Sequence, residues 1–256
     1  MKIATWNVNS LRVRLPQVLE WLQRQQPDVL CLQETKVVDE DFPLAACRDA
    51  GFHAAYAGQK IYNGVAILSR VPMTAVVSAL PDYADVQKRL LAATIGELRV
   101  FNVYVPNGQE VGSDKYVYKL AWLQALQRLM TAELAAGRPL LLLGDFNIAP
   151  EARDVHDPQA WEGRVLFSEP ERAAFRDLIG AGLVDVFRGF EQPEKSFSWW
   201  DYRAAAFRRN HGLRIDHILA SAGLGAQCRV CTIDIEPRRN EQPSDHAPVL
   251  AEFDIG

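Results

Sequence analysis

Five short apolar segments of this chain break off into, or carry, polar clusters, a sixth cluster precedes the last such segment, and that pattern constrains the fold more than any other feature. Lys2 to Val8 alternates its faces and ends in Asn7-Val8-Asn9, and Asp28 to Leu32 ends in Gln33-Glu34-Thr35-Lys36. Leu98 to Val105 carries Asn102 and Tyr104 and runs into Pro106-Asn107-Gly108, and Leu140 to Leu143 runs into Gly144-Asp145-Phe146-Asn147. Leu213 to Leu219 contains Asp216-His217, and Ser244-Asp245-His246 precedes the last apolar segment, Val249 to Phe253. Short apolar runs bounded by turn residues read as buried strands. Strand ends gathered in space are where α/β proteins place ligands. One such cluster is ordinary turn chemistry; a full set supplying Asn, Glu, Tyr, Asp and His points to a site.

Between these strands the period changes. Leu11, Leu15, Val18, Leu19 and Leu22 recur at helical spacing, with Ser10 as the expected N-cap and Pro27 as the stop. Leu120, Leu123, Leu126, Met130 and Leu134 predict a second helix from Ser113 to Ala136, closed by Gly137. Further strands are expected at His53 to Ala57, Gly64 to Ser69, Met73 to Ala79, Leu90 to Ile95, Leu183 to Phe187 and Arg229 to Ile235, with a short helix from Glu171 to Ala181. The stretch from Ala149 to Glu171 holds Pro150, Pro158 and Pro170 and reads as a long loop, and long loops in compact domains are usually functional. No linker or repeat divides the 256 residues, so one domain over residues 1–256 is expected. The alternation predicts an α/β protein with helices covering packed sheets.

Composition narrows the function classes. With 48% hydrophobic and 23% charged residues the chain is neither a disordered tail nor a collagen nor a coiled-coil rod. No apolar run approaches the ~20 residues a membrane helix needs, and no secretory signal is visible at the start, so no membrane partner is expected. Cys31, Cys47, Cys228 and Cys231 suit reduced thiols in a cytoplasmic protein, and Cys228-Arg-Val-Cys231 has no second pair to complete a zinc site. A net charge of −4 argues against wholesale polyanion binding but leaves room for a local basic rim.

The chemistry these clusters fit is phosphodiester hydrolysis with a hard metal ion, which takes oxygen ligands and needs only one or two carboxylates. Glu34 is the first candidate ligand, with Asn7 and either Asp245 or Asp145 beside it. Asp145 and Asn147 lie two apart and share a face, so one can handle a proton while the other donates its amide to phosphate. Asp245 and His246 are adjacent and point to different sides, which suits Asp245 near the metal and His246 at the phosphorus. A histidine in that role needs a carboxylate on its other nitrogen. Asp216 is the expected partner, and His217, on the opposite face of its strand, reads as structural, as do His53, His156 and His211. Ser198-Trp199-Trp200-Asp201-Tyr202-Arg203 sets aromatics beside arginine, as a groove for extruded nucleotides does. One tryptophan should face the core and the other the site, with Arg203, Arg208, Arg209 and Arg214 available for phosphates.

The motifs KIATWNVNSLR, LCLQETK, NVYVPNG, LLLGDFNIAP, SWWDYR, GLRIDHIL and PSDHAPV together resemble the exonuclease III family of apurinic/apyrimidinic endonucleases. The resemblance runs from the first strand to the last. It implies a four-layer α/β sandwich, two packed mixed β-sheets flanked by helices, with the site at one rim. It implies Mg²⁺, or alternatively Mn²⁺, held by Glu34 with Asn7, and by Asp145, Asn147 and Asp245 around them. It implies catalytic roles for Tyr104, Asp145, Asn147, Asp216 and His246: Tyr104 on the phosphate, Asp145 as proton donor to the leaving group, Asn147 on the transition state, Asp216 orienting His246. Lys36, Asn107, Trp199, Arg203, Arg208, Arg209, Leu213 and Ile215 are the expected DNA contacts. The implied activity is repair of duplex DNA by incision 5′ to abasic sites, or removal of nucleotides and blocking groups from 3′ ends, by a monomer without an obligate protein partner. Leu166 and Phe167 are bulky residues of the 149–171 loop; if they intrude on the pocket, 3′-end trimming is favoured over abasic incision. A phosphatase of the same superfamily and a non-catalytic DNA-binding module are the competing readings.

Overall fold

The computed structural model describes residues 1–255. The strand Lys2–Asn7 (β1) is followed by the helix Leu11–Gln25 (α1), the strand Val29–Gln33 (β2), the helix Leu44–Asp49 (α2) and the strands His53–Ala57 (β3), Val65–Ser69 (β4), Thr74–Val77 (β5), Leu90–Ile95 (β6) and Leu98–Tyr104 (β7). The long helix Asp114–Ala135 (α3) leads to the strand Leu140–Asp145 (β8), the short helix Pro158–Trp161 (α4), the helix Glu169–Gly180 (α5) and the strand Leu183–Asp185 (β9). Asp216–Ser221 (β10), Ala222–Gly225 (α6), Cys228–Ile233 (β11) and Val249–Phe253 (β12) complete the chain.

The strands form two six-stranded mixed sheets, β11-β12-β1-β2-β4-β3 and β5-β6-β7-β8-β10-β9. Each is built around one parallel pair joined by a helix: β1 and β2 through α1, β7 and β8 through α3. The remaining neighbours are antiparallel. The two sheets therefore share one local topology, although no repeat is visible in the residues. One apolar cluster, with Ile3, Cys31, Ile67, Val100, Leu141 and Ile218, fills the space between the sheets. A second packs α3 and α5 on the outer face of one sheet, through Trp122, Leu126, Met130 and Phe175. A third packs α1 and α2 on the outer face of the other, through Val18, Trp21, Leu22 and Cys47. The result is the expected four-layer α/β sandwich.

Some local expectations change. Ser10 does not cap α1 through its side chain; it sits at φ 94°, and the start of the helix is tied instead by Ser10 N to Glu34 O (2.8 Å) and Leu11 N to Thr35 O (2.9 Å). The free amides at the helix start thus fasten it to the chain leaving β2. The 149–171 stretch is ordered rather than an open loop: a 3₁₀ turn at Ala152–Asp154 with a capping box, then α4, and α5 begins at Glu169. The strand expected from Met73 to Ala79 is only four residues long and exposed, and α2 is too short to show a period.

Buried polar residues join the sheets beneath the rim. Gln33 Nε2 donates to Asn102 Oδ1 (2.7 Å) and Thr5 Oγ1 (2.8 Å), and Asn102 Nδ2 donates to Leu32 O (2.9 Å) and Ala66 O (2.8 Å). All three side chains are fully buried. Their polarity is structural, not catalytic. Asn102→Leu strands several buried partners and should cost about 2–4 kcal/mol, read by urea denaturation. A loss below ~1 kcal/mol contradicts this account.

Candidate active site

The site forms where the two sheets present strand ends on the same side. Asn7 ends β1, Glu34 follows β2, Tyr104 ends β7, Asp145 ends β8, Asp216 opens β10, and Asp245 and His246 lie just before β12. Gly144 makes the approach to Asp145 possible. It sits at φ +145°, and a Cβ there would lie 1.9 Å from Val103 O, so no side chain fits.

Asn7 Nδ2 donates to both Glu34 Oε1 (2.9 Å) and Asp145 Oδ2 (2.9 Å) and so bridges the two sheets. Asp145 Oδ1 accepts from Asn147 N (2.9 Å), and Asn147 Nδ2 donates to Val105 O (3.0 Å) while its Oδ1 accepts from Asn107 Nδ2 (3.1 Å). His246 lies between two carboxylates: Nδ1 is 2.8 Å from Asp216 Oδ2, and Nε2 is 3.7 Å from Asp145 Oδ2. Asp216 Oδ2 also accepts from Ser198 Oγ (2.6 Å), which in turn accepts from the amides of Ile215 and Asp216. Ser198 opens the SWWDYR motif without any role being legible for it there, yet it fixes the carboxylate that aligns His246. Asn9 is a second such residue: its Nδ2 holds Asp245 Oδ1 (2.9 Å) and its Oδ1 accepts from Lys36, which also pairs with Glu34 Oε2 (2.9 Å).

The electrostatics follow from burial and crowding. Burial is the largest influence on Asp145; with Asp216 and Glu34 nearby it outweighs His246 and Asn7 and pushes the carboxyl up to about 7. Burial alone would lower His246, but Asp216, then Asp145 and Asp245, outweigh it and push the imidazole up to about 10. Burial, then Glu34 and Asp145, holds the Tyr104 phenol well above its usual value, so it remains an O–H donor; Arg89, 4.8 Å over its ring, opposes this. Asp245 is held below its usual range: burial raises it, but His246, Trp199 and Asn9 prevail.

Glu34, Asp145 and His246 each offer one ligand atom, all within 4.8 Å of one another. His246 Nδ1 is committed to Asp216 and its Nε2 carries a proton on an imidazole pushed up to about 10, which leaves two carboxylates flanked by the Asn7 amide. That donor set is oxygen-rich and, through Glu34, partly solvent-facing, and it fits a hard divalent ion. Asp245 does not join this group. Its oxygens accept from Asn9 Nδ2 and Trp199 Nε1 (3.0 Å) and lie outside the 4.8 Å cluster.

Beside this centre, Leu213, Ile215, Leu166, Phe167, Val155 and Ala149 form an apolar wall against which Trp199 packs. Trp199 thus faces the site, while Trp200 is buried with Phe197 and Ala206. The arginines divide. Arg203 is exposed. Arg208 lines a different cleft, with Phe197, Trp200 and Phe207, and Arg209 lines one with His156 and His211; neither cleft includes a rim carboxylate. Arg214 holds no phosphate: it is 1% exposed and bound to Asp154 and Asp185. His217 is buried as expected, between Arg214 Nη1 (3.0 Å) and Ile148 O (2.8 Å).

A double sheet with this rim defines a phosphoester-hydrolysing enzyme, and comparison with known proteins narrows the class to nucleases. The model of the Endonuclease/Exonuclease/phosphatase family matches residues 4–246. Exodeoxyribonuclease III of Haemophilus influenzae is 38% identical, over 99% of this chain and 100% of that protein. A 3′ phosphatase from Neisseria bound to a product DNA hairpin superposes with a TM-score of 0.98 at 46% identity, and an AP endonuclease from Archaeoglobus fulgidus with 0.96 at 40%, each over 100% of both chains. The chain belongs to the Endonuclease/Exonuclease/phosphatase family, within its exonuclease III branch, and is a hydrolytic DNA-repair nuclease.

Proposed function

We propose that this enzyme uses Mg²⁺, or Mn²⁺ in its place, to hydrolyse phosphodiesters of duplex DNA, incising 5′ to abasic sites and clearing damaged 3′ ends. The observation that carries this reading is the Asp145 environment: one buried carboxyl faces Asn7, Glu34 and an imidazole backed by Asp216. Glu34 and Asp145 with Asn7 would hold the ion, which supplies Lewis-acid neutralisation of the phosphate charge. His246, kept cationic by its two carboxylates, acts as a charged donor to a phosphate oxygen rather than as the base. Tyr104 donates to another oxygen. Asn147, with its amide plane fixed by Val105 and Asn107, offers its remaining N–H where charge develops. Asp145, whose carboxyl burial raises above the usual range, hands a proton to the departing 3′-oxygen, and in that step Glu34 with Asn7 keeps the ion.

An abasic sugar is recognised because it lacks a base, so the Trp199–Leu213–Ile215 wall suits it. Lys36, Asn107 and Arg203 flank the path of the strand; Arg208 and Arg209 serve only duplex further from the centre. We read the protein as a monomer acting on cytoplasmic DNA. No helix among the described residues is long and apolar enough to cross a membrane.

Leu166 favours a second reading, 3′-end trimming with little abasic incision. It is 5% exposed, packs into the wall, and holds φ +74°, a conformation that suits glycine. Leu166→Gly should therefore fold and should raise abasic incision relative to trimming by about tenfold, within the range that pocket-filling groups discriminate. The test is a duplex with one stable abasic analogue beside a recessed-end duplex, each with Mg²⁺ or EDTA. Incision by wild type supports the first reading, and trimming alone supports the second. An unchanged ratio in Leu166→Gly removes Leu166 from the argument, and no cleavage of either duplex overturns both readings.

A further inference from the structure

Lys119 is an anomaly that the reaction does not use. It lies in the second turn of α3, it is completely buried, and its partner Glu171, from α5, is completely buried too. The three N–H donors of an ammonium group are each accounted for. They go to Asn147 O (2.6 Å), Asn107 O (3.1 Å) and the Glu171 carboxylate. Glu171 Oε1 also accepts from Leu166 N (3.0 Å), and Oε2 accepts from Ser168 N (3.0 Å) and Ser168 Oγ, which meets Tyr116 Oη at 2.6 Å.

This single ion pair therefore ties three segments together: the Pro106-Asn107-Gly108 turn, the Asp145–Asn147 turn and the segment carrying Leu166. Two of the residues it grips hold left-handed backbone, Asn147 at φ 50° and Leu166 at φ 74°. Leucine adopts that conformation only where its surroundings impose it. Here the Leu166 N–H is held by Glu171, and its C=O accepts from Ala149 N (2.8 Å), so the residue is fixed from both sides. An apolar pair would fill the same space at least as stably, since buried ion pairs are frequently replaceable without loss of stability. What an apolar pair cannot do is hold Asn147 O and Leu166 N in register with each other.

We propose that Lys119 and Glu171 are positioning residues that lock Leu166 against the pocket wall and register it with Asn147, so that they set the preference between an abasic sugar and an ordinary 3′-terminal nucleotide. The inference rests on the nuclease reading above and extends it to specificity. Neither residue touches substrate. They act through the backbone of Leu166 and Asn147.

The test is the double substitution Lys119→Met/Glu171→Gln, which removes both charges and leaves an oxygen for the Ser168 cap. Freed of its restraint, Leu166 relaxes away from Leu213 and Ile215. The ratio of kcat/KM for abasic incision to kcat/KM for trimming should rise by at least about tenfold, with the shape of the trimming pH profile unchanged. In a Leu166→Gly background the same pair should leave the ratio within about twofold, because coupled residues are non-additive. A ratio unmoved while both rates fall together overturns the proposal, as does an equal shift in the Leu166→Gly background. A wild-type chain that cleaves neither duplex overturns the nuclease reading and this proposal with it. Should the double variant fail to fold, hydrogen exchange on wild type decides: the clamp requires the Leu166 and Ala149 amides to exchange as slowly as the α3 core, and rapid exchange at Leu166 overturns it.

Discussion

Asp145→Asn should reduce turnover on a recessed-end duplex at saturating Mg²⁺ by at least about 10²-fold, and His246→Ala by a similar factor, the usual range of a general acid or a charged donor. Both residues meet at one point, Asp145 Oδ2 and His246 Nε2 at 3.7 Å, so the double variant should be little worse than either single one. Single-turnover kinetics give the measurement, and near-wild-type rates in either variant sink the assigned roles. The same pair makes a thermodynamic prediction for the metal-free protein. Asp145 is raised from 3.8 to about 7, so its contribution to stability is present below pH 3.8 and is lost as pH rises through about 7. His246 is raised from 6.5 to about 10, so its contribution is complete below pH 6.5 and is lost as pH rises through about 10. Both signs agree. In EDTA the wild type should lose more stability from pH 6 to pH 9 than Asp145→Asn/His246→Ala does. Parallel denaturation curves for the two proteins across that window would contradict it.

Arg214→Met should be the most destabilising single change outside the rim. Arg214 Nε donates to Asp154 Oδ1 at 2.6 Å, its Nη2 to Asp185 Oδ2 at 2.8 Å, and its Nη1 to His217 Nδ1 at 3.0 Å. Burial, then Arg214 itself, holds His217 well below its usual value, so the imidazole is neutral and donates through Nε2 to Ile148 O. Removing the guanidinium leaves the fully buried Asp154 with Arg188 as its remaining ion-pair partner and the Glu151 amide as its other donor. Breaking a buried pair in this way costs about 3–5 kcal/mol, or roughly 10 °C in melting temperature for a chain of this size. The damage should reach the pocket, because Arg214 N also donates to Asp154 O (2.8 Å) and Val155 pairs with Leu213. Arg214→Met/Asp154→Asn should recover part of the loss. A loss under ~1 kcal/mol in Arg214→Met would show that the network contributes little.

The difference between the legible and illegible residues has a physical origin. Asp216 was separable from His217 because a strand alternates its faces, and that alternation places Asp216, not His217, against His246. The strand ends carrying Asn7, Glu34 and Asp145 were legible because an apolar run stopping at a carboxylate is unusual. Arg214 misled, because its partners Asp154 and Asp185 lie 60 and 29 residues away and no local pattern links them. An arginine among other arginines reads as surface until its counter-ions are located. Lys119 and Ser198 were silent for the same reason: their roles exist only across segments that are distant in the chain. Ser10 reads as a cap, and tertiary hydrogen bonds from the Ser10 and Leu11 amides to the carbonyls of Glu34 and Thr35 take that role.

The most direct test of the strand-end centre is the Mg²⁺ dependence of cleavage in wild type and Glu34→Gln on one recessed-end duplex. The geometry predicts no cleavage by wild type in EDTA, saturable activation by Mg²⁺, and a much higher Mg²⁺ requirement in Glu34→Gln, which has lost a charged oxygen donor from the Glu34–Asp145 set. Cleavage by wild type in EDTA, or an identical Mg²⁺ curve for Glu34→Gln, would contradict the assignment of these carboxylates to a metal.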